Sequence, residues 1–242
     1  MITPLKLIVL NTRPYRETSL LVNAYTDIWG RADFIVRGIR TARNKAAAAM
    51  FHPLSILDTR TYYHEKKDLN QLKEYQKIYL LDGLCSDVRK SSVGLFIGEL
   101  LYKTVRESEE NRALFGFVAD TILELDRAGV ELADLHLYFA ARLCRYLGYA
   151  PDLSAPAQKN IFFDIKGACF RDTPDTSYGA FDLDASRLFR QILTCPPGEA
   201  TPLQCSGTKR HHFLNCLMNY YGYHMGKTPD IRSVDILHQV FL

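Results

Sequence analysis

The sequence predicts an α+β protein in which a small closed β-barrel precedes a mainly α-helical domain. Two observations carry that expectation. Apolar residues recur with a strand-like period up to about residue 80 and with a helical period from Cys85 onward. Charge divides at nearly the same place. Residues 1–80 hold 13 Lys/Arg against 7 Asp/Glu, a net of +6, and residues 81–242 hold 17 against 20, a net of −3. With 242 residues, 47% of them hydrophobic and 24% charged, the chain can bury a full core as one large domain or two smaller ones. The expected division is 1–80 and 81–242.

The first module reads as five short strands: PLKLIVLN, SLLVNAYT, RADFIVRG, PLSILDTRTYY and LNQLKEYQKIYL. In the third, Phe34 and Val36 share one face while Asp33 and Arg37 share the other. The Trp29-Gly30 step supplies a turn, because glycine accepts positive φ without steric cost. Five short strands leave unpaired edges unless they close on themselves, which favours a five-stranded OB-type β-barrel. An SH3-like barrel satisfies the same pattern.

In the second module Val93, Phe96, Ile97, Leu100 and Leu101 follow the i, i+3, i+4, i+7, i+8 spacing of one helical face. Ser86 is the expected N-cap, with Asp87 in the first turn where the helix dipole favours negative charge. A second helix carries Leu114, Phe117, Val118 and Ile122 and ends near Gly129. A third carries Leu137, Ala140, Ala141, Cys144 and Leu147 and stops at Gly148 and Pro151. Residues 150–181 are rich in Pro, Asp, Ser and Gly around a strand-like core at 161–165, an irregular insertion or hairpin. Helical period returns at 183–193, and again where Phe213, Cys216, Leu217, Tyr220, Tyr221 and His224 line one face before Gly226 and Pro229. A short helix closes the chain.

Several function classes find no support. No apolar run approaches the roughly 20 residues that span a bilayer, and the first residues lack a signal-peptide pattern, so a cytoplasmic location is expected. The six cysteines stand singly, without a CxxC pair, which argues against a disulfide framework or a standard zinc site. Cys144 and Cys216 fall on apolar helical faces as small hydrophobes. The sequence has no GxGxxG, GxxxxGK[ST], GxSxG or HExxH motif, and the expectation is a protein that is not an enzyme. His211, His212 and His224 invite a metal-dependent hydrolase as a rival. Against it, His224 lies on an apolar face as a core histidine, and His211 and His212 follow Lys209-Arg210 near a helix start.

The best candidate for binding is the stretch FIVRGIRTARNKAAAAMFHPLSIL. It carries Arg37, Arg40, Arg43 and Lys45, with no acidic residue between Asp33 and Asp58. The guanidinium fork suits phosphate because it donates two parallel hydrogen bonds and stays charged. Arg13, Arg16 and Arg31 on neighbouring strands and loops extend the cationic surface. Tyr15, Tyr25, Phe51, Tyr62 and Tyr63 are available to stack on bases, although most strand aromatics serve the core. The four alanines at 46–49 make a flexible spacer or a helical turn.

Across nearly its whole length the chain resembles the bacterial recombination mediator family RecO. The opening IVLNTRPYRETSLLVNAYTDIWGRADFIVRGIR resembles the family's first strand, Tyr-x-Glu-x-Ser-like turn, hairpin and Arg-Gly-x-Arg loop. FHPLSILD matches the strand after that loop. LCRYLGYAPDL resembles the helix end Leu-Gly-Tyr-x-Pro-x-Leu, and YYGYHMGKTPDIRSVDIL the closing element. The resemblance implies an OB barrel, a helical domain and an insertion that is a zinc module in many members. It implies a non-enzymatic protein that binds single- and double-stranded DNA, anneals complementary strands and engages the C-terminal tail of the single-strand-binding protein (SSB). With RecR, such a protein helps load the RecA recombinase.

The chain departs from that pattern in one place. Where zinc-bearing members place a CxxC after the Gly-Tyr-x-Pro-x-Leu step, this chain reads SAPAQKN, and only Cys169 stands near the second position. One thiol cannot hold a tetrahedral zinc, so no structural metal is expected. Ile161, Phe162, Phe163, Ile165 and Phe170 are expected to hold the insertion on the helices instead. For a partner's acidic-apolar tail, Arg89, Lys90, Lys103, Arg142 and Arg145 are the candidate cations, with solvated helix faces as the plainer reading. A basic OB-domain adaptor that grips an acidic protein, without a direct DNA role, is the alternative from another class.

Overall fold

The computed structural model describes residues 2–62, 69–129, 132–154, 161–174, 179–196 and 201–241. They divide into two compact units, Met1–Arg127 and Ala128–Leu242.

The first unit opens with five strands, β1 (Ile2–Tyr15), β2 (Ser19–Thr26), β3 (Gly30–Val36), β4 (Ile56–Tyr62) and β5 (Leu69–Lys77). They close into a barrel in the order β1-β2-β3-β5-β4. All pairs are antiparallel except β3 with β5, where Asp33, Phe34 and Ile35 lie opposite Leu69, Asn70 and Gln71. This is the OB arrangement that the strand count anticipates. Closure depends on β1 serving two neighbours. Its first half pairs with β4 from Ile2 to Ile8, and its second half pairs with β2 as far as Tyr15. A register shift between Val9 and Asn11 bends the strand between those two duties. Leu5, Leu7 and Val9 point into the barrel with Val22, Ala24, Phe34, Val36, Leu57 and Leu72.

A one-turn helix, α1 (Lys45–Ala48), lies in the β3–β4 connection. Three more helices complete this unit: α2 (Asp82–Ser86), α3 (Val88–Thr104) and α4 (Arg112–Arg127). The N-cap of α3 is Asp87, not Ser86. Its carboxylate accepts from the backbone N–H of Arg89 and Lys90, while the Ser86 hydroxyl donates to the Asp82 carbonyl inside α2. A carboxylate satisfies two N–H groups at the positive end of the dipole, so Asp87 outcompetes the serine one residue earlier. The β2–β3 turn leans on the segment after α3. Gly30 has φ +60°, and a Cβ there would stand 2.4 Å from the Glu109 carbonyl oxygen. The Arg31 N–H donates to the Glu107 carbonyl at 2.9 Å.

The second unit contains α5 (Leu132–Leu143), a hairpin of β6 (Phe162–Asp164) and β7 (Cys169–Arg171), α6 (Leu183–Thr194), α7 (Gly207–Met225) and α8 (Ser233–Val240). The buried carboxylate of Asp134 on α5 meets Arg210 Nε of α7 at 2.6 Å and accepts from the Leu203 N–H at 2.7 Å. Tyr221 donates to the Ala140 carbonyl and Tyr220 to the Tyr149 carbonyl. Gly226 ends α7 in the left-handed conformation, as its sequence position predicts. The insertion packs through aromatic rings: Phe163 is fully buried and lies about 5 Å from Phe170, Phe181, Phe189 and Tyr220. Ile161, Ile165 and Phe170 are buried beside it, and Phe162 faces partly outward as strand alternation requires. Among the described residues no helix is long and apolar enough to cross a membrane.

Candidate nucleic-acid interface

The basic stretch is an ordered structure built on the end of β3. After Val36 the chain reverses at Gly38, whose φ is +68°. Ile39 is then driven into the barrel core at 1% exposure. A 3-10 turn (Ala42–Asn44), α1 and a second 3-10 turn (Ala49–Phe51) come next. Phe51 is buried and packs edge-on against Tyr75 at 4.8 Å. The four alanines thus form a helical turn, and Ala47, Ala48 and Met50 pack against the core. Two side chains tie the loop to itself: Asn44 Nδ2 and Thr41 Oγ1 both donate to the Gly38 carbonyl, at 2.8 and 3.3 Å.

Since Ile39 and Phe51 face inward, the charged residues between them face solvent. Arg37, Arg40, Arg43 and Lys45 are all exposed. The β1–β2 turn brings more positive charge to the same end of the barrel. Leu20 pairs with Val36, so Arg37 follows on beside Ser19, directly after the turn that holds Arg16. The Arg40 N–H donates to the Thr18 carbonyl at 2.9 Å, and its Nη1 lies 3.2 Å from the Arg16 carbonyl and 3.4 Å from that of Glu17. Arg13 is exposed two residues before Tyr15, and the Arg16 guanidinium lies 5.4 Å from the Tyr15 ring centre. Among the described residues none of Arg13, Arg16, Arg37, Arg40, Arg43 and Lys45 pairs with a carboxylate. Glu17 is the acidic residue inside the patch. Cations held this close repel one another, and an arriving polyanion relieves that repulsion.

Arg31 stands apart from this group. It is half-buried, its Nη1 donates to the Tyr102 and Val105 carbonyls at 2.8 Å each, and its guanidinium covers the Tyr102 ring at 4.7 Å. It ties β3 to the end of α3. Beside it Asn11, Thr12, Arg13, Leu21, Asn23 and Asp33 line a cavity of about 60 Å³. Of the aromatics, Tyr25 and Phe51 are buried. Tyr25 stacks on Phe115, and burial, reinforced by the Glu107 charge, pushes its hydroxyl up to about 12. Tyr15 is half-buried, Tyr62 is exposed with Lys73 Nζ 5.5 Å from its ring, and Tyr63 lies outside the described residues.

The five cations considered for a partner's tail divide between the two units. In the first unit Arg89 pairs with Asp87 at 3.4 Å, and Lys90 donates to the Asp126 carbonyl at 2.7 Å, both at the start of α3. Lys103 stands at the other end of that helix, about 20 Å away at 1.5 Å per residue. In the second unit Arg142 donates to the Cys195 and Pro196 carbonyls and Arg145 to the Leu193 carbonyl, so both cap the end of α6. Carbonyls at helix ends leave no mark in a sequence, so these roles of Arg31, Arg142 and Arg145 are not legible there.

The histidines likewise face different partners. His211 lies 4.2 Å from the His238 ring. His224 is exposed rather than in the core, and its ring stacks on Tyr149 at 4.9 Å. His212 Nε2 is 2.9 Å from Asp182 and 3.7 Å from the Cys216 sulfur. Both contacts use one ring nitrogen, so the imidazole cannot relay a proton from the thiol to the carboxylate. Cys216 is 3% exposed, and burial pushes its thiol up to about 12, as it does for Cys144. Among the described residues no group of three or more His, Cys, Asp or Glu can hold a metal ion. In the insertion Cys169 sits on a hairpin whose two strands are linked by an Asp164–Arg171 pair at 2.7 Å. Its lone thiol does not fit a zinc site, and residues 155–160 of SAPAQKN lie outside the described residues.

Comparison with known proteins gives a consistent result. Residues 1–80 match the family model described as Recombination protein O N terminal, and residues 85–230 match Recombination protein O C terminal. The chain is 32% identical over 237 residues to the DNA repair protein RecO of Bacteroides fragilis, covering 97% of each chain. It is 32% identical to the RecO of Phocaeicola vulgatus over the same share of both. It is 28% identical to that of Flavobacterium psychrophilum over 98% of both.

Proposed function

The chain belongs to the RecO family of DNA repair proteins, and from that premise we propose that it binds DNA through the basic end of its barrel and acts as a recombination mediator. The observation that carries this reading is the set of exposed cations on the β1–β2 turn and the β3–β4 loop, none paired with a carboxylate among the described residues. Arg37, Arg43 and Lys45 are the phosphate contacts, with Arg13 and Arg16 beside them. Each displaces condensed counterions from the backbone, which gives affinity without sequence preference on single- and double-stranded DNA alike. Tyr15 and Tyr62 are the rings left accessible to an unpaired base.

Annealing follows from the same charge. Two strands that each share the protein's cations repel one another less, so complementary segments meet at lower cost. No bond is made or broken, and the role is non-enzymatic. The family resemblance supplies the rest of the proposal: a cytoplasmic protein that works with RecR, engages the SSB tail and helps load RecA at gaps coated by SSB. Val88 and Leu95, seven residues apart on one exposed face of α3, are apolar residues on the helix that carries Arg89 and Lys90, and they favour α3 as the place where a partner tail docks.

A strand-annealing assay on complementary oligonucleotides, naked and coated with SSB, tests the proposal. The wild-type protein is expected to speed annealing on both substrates, and the triple variant Arg37→Ala, Arg43→Ala, Lys45→Ala to lose most of that gain. Equal rates for the two proteins would transfer the reading to the adaptor, in which the basic loop grips an acidic protein.

A further inference from the structure

We infer that Arg40 is a positioning residue that holds the two halves of the basic surface together, in contrast to the phosphate contacts around it. The inference rests on reading that surface as the DNA site. The cations come from separate segments, Arg16 from the β1–β2 turn and Arg37, Arg43 and Lys45 from the β3–β4 loop. Arg40 bridges them twice, through its N–H to the Thr18 carbonyl and through Nη1 to the carbonyls of Arg16 and Glu17.

The turn needs that support. Arg16 has φ +52°, in the left-handed region that a side chain bearing a Cβ rarely adopts. Its carbonyl and the next one aim at the same guanidinium, so those bonds hold the turn in the conformation that presents Arg16. The other end of the bridge is equally fixed. Ile39 is buried immediately before Arg40, and Gly38 before it carries the two hydrogen bonds from Asn44 and Thr41. A guanidinium facing two backbone carbonyls is oriented inward along the loop, whereas Arg37 and Arg43 make no such contact among the described residues.

Binding of a labelled single strand across a salt series, read as a double-mutant cycle with Arg16, tests this. Arg37→Ala and Arg43→Ala should each make the slope of log K against log salt shallower by about 0.7, the loss of one phosphate contact. Arg40→Ala should weaken binding several-fold at every salt concentration with its slope unchanged. The penalty of Arg16→Ala should then shrink by more than half in the Arg40→Ala background. A shallower slope for Arg40→Ala, or penalties that simply add, overturns the inference and makes Arg40 a contact or an independent residue. Should Arg40→Ala fail to fold, Arg40→Lys serves in the same cycle. It keeps the charge but loses the fork, so positioning predicts a reduced Arg16→Ala penalty and a phosphate contact predicts the wild-type penalty. Unchanged slopes for Arg37→Ala and Arg43→Ala would instead remove the DNA reading itself.

Discussion

Gly30 joins the barrel to the segment between α3 and α4 through a single turn. Its left-handed φ disfavours any Cβ by about 1 to 2 kcal/mol, and a Cβ would also collide with the Glu107 and Glu109 carbonyls, at 2.6 and 2.4 Å. Gly30→Ala should therefore lower stability by about 3 kcal/mol in urea unfolding; a loss below about 1 kcal/mol would mean that the turn relaxes freely. His136 makes a different demand. Burial, with a smaller contribution from the Arg210 charge, lowers its pKa to about 3 from the ordinary 6.5. A depressed histidine stabilises the fold fully above the unfolded value, and that stability is lost as pH falls from 6.5 toward 3. His211 and His224 are lowered in the same direction, mainly by burial. Unfolding midpoints should fall steadily from pH 7 to pH 4, and His136→Phe should flatten that dependence. The charges on Arg37, Arg40, Arg43 and Lys45 are readable in the sequence because unpaired cations stay at the surface. Sequence groups Arg31 with them because nothing in its neighbours marks the carbonyls it bonds 71 and 74 residues away.

At the scale of elements, the strands are legible from alternation and turn residues. The predicted strand SLLVNAYT coincides with β2, Ser19–Thr26. The unusual length of β1 is not legible, because a strand that pairs with two neighbours through a bulge reads as one strand and a turn. Arg31 gives an element-level test, since it fastens β3 to the C-terminal end of α3. Arg31→Ala should cost about 2 kcal/mol of stability through two lost charge-assisted hydrogen bonds, and leave the salt dependence of DNA binding unchanged. A shallower salt slope would return Arg31 to the phosphate contacts. In the insertion, the buried Phe163 ring packs on Phe170, Phe189 and Tyr220, holding β6 and β7 on α6 and α7. Phe163→Ala should destabilise the second unit by about 3 to 5 kcal/mol, whereas a chelator should leave the melting temperature of the wild-type protein alone. A chelator-sensitive melt would show that a metal binds after all.

Across the whole molecule the charge is one-sided by sequence: a net of +6 in residues 1–80 against −3 in the remainder. The structure adds why the positive end of the barrel is usable. Ile39 and Phe51 anchor the loop, so the backbone that carries its cations is ordered before a ligand arrives and only side-chain freedom is left to lose on binding. The central claim is that this end of the barrel binds the phosphate backbone. The most direct test is the equilibrium affinity for a labelled DNA strand as a function of salt concentration. With about four phosphates neutralised, log K should fall against log salt with a slope of roughly −3, and the Arg37→Ala, Arg43→Ala, Lys45→Ala variant should reduce that slope to about −1. An affinity independent of salt, or a slope the variant leaves untouched, would contradict the account.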